Sequence, residues 1–300
     1  VRRATRTFAG GVGIRDVSFD AADRAVTAVI GPNGAGKSVL FGAMAGLVPL
    51  DSGHIELTAG ARVAYCPDVP QFESWLTARE VVDTSLAISG MRSGVGASEA
   101  LHQCGLGKVQ DRRVADFSRG MLQRLGIAAA LVLDPAVLIL DEPNSALDPL
   151  GRADIRELIL EQKRERCVLL SSHLLSEVEQ LADRIIVLGE GRIVSDSSTA
   201  DLLLDAREPS WTIRLGAATD QRKERMSTAH RLHALRAAFP LAAFQHPSEE
   251  LVNVSFDSFS DAEALLGVII GAIDLPILEV TLQGRDLDST FARILQRAER

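Results

Sequence analysis

Eight residues narrow the folds open to this chain more than any others do: Gly31-Pro32-Asn33-Gly34-Ala35-Gly36-Lys37-Ser38. They match GxxxxGK[ST] and lie between a β-branched run, residues 26–30, and a stretch, residues 37–46, that reads as a helix. The glycines let backbone N–H groups turn inward toward phosphate oxygens, and the helix N-terminus favours the negative charge. Lys37 then reaches the β- and γ-phosphates, and Ser38 ligates Mg²⁺. Asn33, Gly34, Ala35, Gly36, Lys37 and Ser38 are the candidate phosphate contacts. The competing reading is a Gly-rich strand-to-helix turn with no ligand.

A second signal is Val137-Leu138-Ile139-Leu140-Asp141-Glu142, an apolar run ending in two carboxylates. A buried strand places Asp141 at its carboxyl end, where an α/β sheet opens onto ligand, so Asp141 can hold Mg²⁺ through water. Glu142, one residue on, is suited to polarise an attacking water as general base. Taken alone, two acids after a strand read as a helix cap or a solvated turn.

The first two-thirds of the chain alternate short β-branched runs with longer helical stretches, the pattern of a mostly parallel sheet covered by helices. Strands are expected at 26–30, 55–57, 62–65, 137–140, 168–171 and 185–188, with a turn at 189–191 leading to 192–194. Residues 77–133 read as a helical insertion. Composition shifts near Arg207-Glu208-Pro209-Ser210, which sets an expected division into a first domain, 1–207, and a small C-terminal α/β domain, 208–300. The second reads strand 211–215, helix 225–238, strand 252–256, helix 262–273, strand 277–282 and helix 288–297. It carries no phosphate or acid/base motif, so a regulatory or dimer-supporting role is expected.

Composition removes several classes. Hydrophobic residues are 46% and charged residues 24% of the 300, which excludes wholesale disorder and a collagen-like fibre. A net charge of −8 argues against general phosphate attraction, and no nucleic acid is expected as a partner. The best apolar runs fall short of the roughly 20 residues a bilayer span needs. The basic start is followed by a Gly-rich stretch and makes a poor signal peptide, so the cytoplasm is expected. Cys66, Cys104 and Cys167 lack metal-ligand spacing and read as reduced, partly buried thiols.

With the loop and the acid pair in place, further motifs follow in a recognisable order. Phe117-Ser118-Arg119-Gly120-Met121 precedes Gln123-Arg124; Ser145-Ala146-Leu147-Asp148 follows the acids; Ser171-Ser172-His173 comes later; and Phe8 stands nine residues before Val17-Ser18-Phe19. In this order they resemble the nucleotide-binding subunit of an ATP-binding cassette (ABC) transporter, over about residues 8–205. The resemblance implies a P-loop NTPase ABC core with a helical subdomain, ATP and Mg²⁺ as ligands, and ATP hydrolysis coupled to transport. It implies adenine stacking on Phe8, and a signature at Ser118 and Gly120 that caps the γ-phosphate held by the other subunit of a head-to-tail dimer. It further implies a switch role for His173, which would hold Glu142 and water in line. The partners implied are a second copy or a paired ATPase subunit, and a separate transmembrane permease on whose inner face the chain would sit. The signature, SRGM with QR after it, is more similar to exporters of the drug, antibiotic and polysaccharide type than to importers.

Three departures from the family pattern stand out. Asp68 in Tyr65-Cys66-Pro67-Asp68 takes the place of the Q-loop Gln, and reads either as a direct Mg²⁺ ligand or as a weakened water contact, with Gln71 as a substitute. Val39 stands where Thr is usual, keeping the N–H toward phosphate but losing a hydroxyl. Arg119 replaces a small residue and adds positive charge near the second phosphate group. Only seven residues precede Phe8, where the family has a strand, and the leading Val reads as a literal GTG start or a wrongly chosen one. The loop after Asp68, with Phe72, Trp75 and Leu76, is a candidate groove for a short helix of the membrane subunit, or else core. His230 and His233 share a helix face without a third ligand and read as solvated. The competing function is a soluble ABC-type ATP clamp in translation, DNA repair or cofactor assembly.

Overall fold

The computed structural model describes residues 1–90, 94–145, 147–205, 207–216, 235–248, 250–273, 275–284, 291 and 294. The chain divides into two compact units, one built on Val1–Asp201 and the other on Leu202–Thr290. That division falls inside a helix, Thr199–Asp205, a few residues before the composition shift at Arg207.

The first unit opens with β1 (Arg2–Thr7), β2 (Gly13–Val17), β3 (Val26–Ile30), α1 (Lys37–Met44), β4 (Ser52–His54) and β5 (Val63–Cys66). Helices α2 (Ala78–Ser89), α3 (Ala97–Gln103) and α4 (Arg119–Leu131) follow, then β6 (Val137–Leu140), α5 (Pro149–Gln162) and β7 (Cys167–Ser171). It closes with α6 (Leu175–Leu181), β8 (Arg184–Gly189) and β9 (Arg192–Ser198), and α7 (Thr199–Asp205) contains the division. The main sheet has the order β5-β6-β7-β3-β8-β9, parallel throughout except for the antiparallel β8–β9 pair.

β3 and β7 are buried along their whole length, as expected for parallel strands covered on both faces. Parallel strands send their carboxyl ends to one side, so the loops after β3, β5, β6 and β7 share one edge of the sheet. Beneath that edge Ile139, Leu169, Ile186, Leu188, Leu40 and Phe41 form a contiguous core. The helical stretch is well terminated. α2 begins with a capping box in which Glu80 N–H donates to Thr77 Oγ1 and the Glu80 carboxylate accepts from Thr77 N–H. α5 starts with Pro149, and its cap Asp148 accepts from Gly151 N–H at 2.7 Å.

Two expectations are corrected at the N-terminal side. The strand expected at 55–57 is absent; β4 occupies Ser52–His54 instead, paired antiparallel with β1 through Arg2↔His54 and Thr5↔Ser52. Gly53 decides this: its φ is +80° and a Cβ there would sit 2.2 Å from the Arg3 carbonyl oxygen, so only glycine lets the strands close. Ile55, just beyond, packs on the core without a ladder. Arg2–Thr7 is also a strand, although Ala4 is its one apolar residue, so the seven residues before Phe8 do hold the strand usual at that place.

The second unit contains β10 (Arg207–Leu215), β11 (Ala242–Ser248), β12 (Leu251–Phe256), α8 (Phe259–Ala272) and β13 (Ile277–Gly284). All strand pairs are antiparallel, in the order β11-β12-β10-β13. With helical residues 235–238 between β10 and β11, this is a β-α-β-β-α-β arrangement of the split βαβ kind. Ile213, Phe244, Val252, Val254, Phe256 and Ile269 form its core. β11 had no counterpart in the sequence reading, because its apolar residues stop at Phe244, and Gln245, His246, Pro247 and Ser248 make up the rest. Most of the helix expected at 225–238, with His230 and His233, and most of that at 288–297 lie outside the described residues.

Candidate functional site

The loop after β3 is built as an anion cradle. Its backbone turns into α1 through Gly36, whose φ of +102° and whose approach to the Gly13 carbonyl oxygen, 2.5 Å from where a Cβ would be, admit no side chain. α1 starts with no side-chain cap and no acidic residue in its first turn, so its leading N–H groups are left for a ligand. Lys37, 9% exposed, donates to the carbonyl oxygens of Gly31 at 2.8 Å and Pro32 at 3.3 Å. Among the described residues no carboxylate pairs with it. Asn33, Gly34 and Ser38 face solvent, Ala35 is buried, and Val39 packs partly on the core.

A hydroxyl-centred network joins the ends of β5, β6 and β7. Ser171 Oγ, fully buried, donates to Asp141 Oδ1 at 2.6 Å and accepts from the Glu142 N–H at 2.8 Å. Tyr65 donates its hydroxyl to Asp141 Oδ2 at 3.2 Å. Burial first, then the Asp141 charge, raises the Tyr65 pKa well above its usual value, which keeps it a donor. The Glu142 carboxylate lies 2.7 Å from His173 Nδ1, and the Glu142 backbone is left-handed at φ +49°. That conformation is costly for glutamate and is held by the Ser171 bond. Sequence reasoning gave no role to Ser171 or Tyr65; the signal was a hydroxyl in the last two residues of each otherwise apolar strand. Ser171→Ala should strand a buried carboxylate oxygen and a partly buried N–H, costing about 1–3 kcal/mol. Thermal unfolding should show a loss of several degrees, and Ser171→Thr, which keeps the hydroxyl, should recover part of it.

Asp68 Oδ1 accepts from Ser145 Oγ at 2.5 Å, tying the loop after β5 to the one after β6. Phe8 directly follows β1, is 42% exposed, and carries the Arg6 guanidinium 4.7 Å over its ring. Ser118 is the cap of α4, accepting from Met121 N–H at 3.3 Å, and Gly120 lies against Leu147 so closely that a Cβ would be 2.8 Å from the leucine. The hydrogen bonds therefore unite Asp141, Glu142 and His173, and join Asp68 to Ser145, while Phe8, Ser118 and Gly120 are outside this network. Ala146 lies outside the described residues. No group of three or more His, Cys, Asp or Glu able to hold a metal occurs among the described residues, so a cation here would rely on hydroxyl and phosphate oxygens beside Asp141. The cysteines take no part in such chemistry: burial pushes the Cys66 thiol up to about 12 and Cys167 up to about 11.

A glycine-rich loop between a central parallel strand and a helix, beside an acid pair at the end of another strand, defines a P-loop nucleotide-binding protein. The family model for ABC transporters matches residues 14–145. YxlF, an ABC transporter ATP-binding protein of Bacillus subtilis, is 37% identical over 188 residues, 60% of this chain and 64% of YxlF, so the chain spans less than two thirds of that relative. The lantibiotic transport ATP-binding protein SrtF of Streptococcus pyogenes is 39% identical over 190 residues, 60% of this chain and 82% of SrtF. A solved ATP-binding subunit of an ABC transporter superposes with a TM-score of 0.60 at 28% identity, over 68% of this chain and 91% of that one. The chain belongs to the family of ABC transporter ATP-binding proteins.

Proposed function

We propose that this chain hydrolyses ATP in a head-to-tail dimer, with a second copy or a paired ATPase subunit, and thereby drives a separate transmembrane subunit. The observation that carries this reading is Lys37: among the described residues this buried ammonium is met only by neutral carbonyl oxygens, which leaves it poised for a phosphate. In this reading the N–H groups from Asn33 to Val39 cradle the phosphates, and Lys37 moves from its carbonyls to the β- and γ-phosphates. Mg²⁺, held by Ser38 and Asp141, would neutralise developing charge. Glu142 orients and deprotonates the attacking water, and His173 bonds the γ-phosphate while keeping Glu142 in line. Phe8 offers its ring to adenine, and Ser118 and Gly120, at the start of α4, close over the γ-phosphate of the opposite subunit.

Export is the favoured direction, since the SRGM signature resembles that of exporters and SrtF is named for lantibiotic transport. No helix among the described residues is long and apolar enough to cross a membrane, so force would pass through a surface contact, with the chain on the cytoplasmic face. A groove of about 550 Å³ lined by Phe72, Leu76, Val81, Thr84, Ser85 and Ile88 suits a short helix. Trp75 is not part of its lining but is 65% exposed beside it in sequence. Phe72→Ala with Trp75→Ala should leave the ATPase rate of the isolated subunit within about twofold and cut co-purification with the membrane subunit severalfold. A double variant that assembles normally would move the contact elsewhere.

Asp68 admits a direct test of its departure from glutamine. As a Mg²⁺-side ligand, its loss in Asp68→Ala should raise the Mg²⁺ concentration needed for half-maximal hydrolysis by about tenfold, while Asp68→Gln stays active. Identical Mg²⁺ titrations for both variants and the parent would leave Asp68 as a loop residue that holds Ser145.

A further inference from the structure

Two short segments carry the groups that would act on water. Residues 142–144 leave the end of β6, and residues 173–177 run from the end of β7 into the first turn of α6. They are tied twice. At one end His173 Nδ1 lies 2.7 Å from Glu142 Oε2, and at the other Asn144 Nδ2 donates to Glu177 Oε2 at 2.6 Å. With the chain as its other two sides this makes a closed ring, so a displacement of Glu177 is carried to His173 and Glu142. The other carboxylate oxygen of Glu177 lies 3.7 Å from Arg152 Nη1, and Arg152 Nε donates to the Leu147 carbonyl at 3.1 Å. Glu177 thus holds Asn144 directly and Leu147 through Arg152. Asn144 is 5% exposed, and its Oδ1 has no partner among the described residues. A carboxylate only accepts, so the amide nitrogen must face Glu177 and the oxygen is the atom left over. The bond made at the nitrogen and the bond unmade at the buried oxygen oppose each other in stability. What the asparagine supplies is a position.

We propose that Asn144 and Glu177 are positioning residues for hydrolysis: their bond sets His173 against Glu142, and so the line of the attacking water, without either residue touching nucleotide. This rests on the roles proposed above for Glu142 and His173. The competing reading is that Glu177 only pins α6 to α5 through Arg152. One turn further along both helices Arg156 bonds to Gln180, which pins the same two helices with no link to Asn144. That second pair separates the two readings.

Steady-state ATPase kinetics of the full chain, with ATP affinity and thermal melting measured alongside, test this. Asn144→Asp sets two carboxylates against each other and should lower kcat by at least about tenfold, since a misplacement of about 1 Å can cost about 100-fold. Glu177→Gln turns an amide donor toward either Asn144 or Arg152 and should lower kcat severalfold, by about three to ten times. KM and Kd for ATP should stay within about threefold in both, because other residues build the phosphate cradle. Combining Asn144→Asp with Glu177→Gln exchanges donor and acceptor: the amide at 177 donates to the carboxylate at 144, and its oxygen still faces Arg152. That double variant should return to within about threefold of the parent kcat, a rescue that loss of packing alone would not show. If Asn144→Asp melts below the assay temperature, Glu177→Gln against the double variant gives the same comparison. Gln180→Ala should leave kcat unchanged. A parent-like kcat in both single variants, a double variant no faster than the singles, or an equal loss in Gln180→Ala would overturn the proposal. Glu142→Gln, assayed beside them, tells this failure from that of the underlying reading. Parent-rate turnover there removes the base role and this proposal together, whereas lost turnover there with parent-like kcat in the single variants removes the positioning role alone.

Discussion

Glu142→Gln should retain ATP and lose turnover, by about 10²- to 10⁴-fold, the range a positioned general base contributes. The substitution keeps shape, so the left-handed backbone at φ +49° and the Glu142 N–H bond to Ser171 Oγ at 2.8 Å should persist. What changes is the side chain's ability to accept a proton from water. His173, 2.7 Å away, can still hydrogen-bond to the amide oxygen, so the loss belongs to the base and not to geometry. ATP affinity should stay within about threefold, and uncleaved ATP should favour a lasting dimer in size-exclusion runs with Mg²⁺-ATP. Single-turnover phosphate release from both proteins separates binding from chemistry. A Gln variant that releases phosphate at the parent rate would remove Glu142 from the base role.

The site was legible wherever its chemistry is local in sequence. A phosphate loop uses consecutive backbone N–H groups, so Gly31 to Ser38 could be read as a unit, and Asp141-Glu142 follow an apolar strand directly. What sequence could not give was the network that holds those acids. Ser171 and Tyr65 meet Asp141 from strands whose order in the sheet, β5-β6-β7, is set by long-range pairing. A serine ending an apolar run carries no mark of its target until that order is known. The same holds for Asp68, whose bond to Ser145 spans 77 positions. The pairing of β1 with β4 was obscured for another reason. β1 is rich in arginine, and β4 is placed by the close approach of Gly53 to Arg3, a backbone contact with no hydrophobic signature.

The phosphate cradle makes a second strong prediction, one that separates binding from folding. Lys37 is buried with neutral partners, a position that costs free energy in the nucleotide-free chain and is offset only when an anion arrives. Lys37→Ala should therefore leave the nucleotide-free protein as stable as the parent or more so. It should weaken ATP affinity by at least about 100-fold, through loss of charge-assisted bonds worth about 1.5–3 kcal/mol each. Ligand binding to the native state raises stability by RT ln(1 + [L]/Kd), so ATP at about 100 times the parent Kd stabilises it by about 2.7 kcal/mol. At that concentration the variant's gain falls to about 0.4 kcal/mol. Thermal melts of both proteins with and without Mg²⁺-ATP should thus show a clear upward shift for the parent and almost none for Lys37→Ala. An equal ATP-induced shift in both would mean that Gly36 and the open N-terminus of α1 bind phosphate without the lysine. A fall in nucleotide-free stability would mean that its bonds to Gly31 and Pro32 hold the loop together.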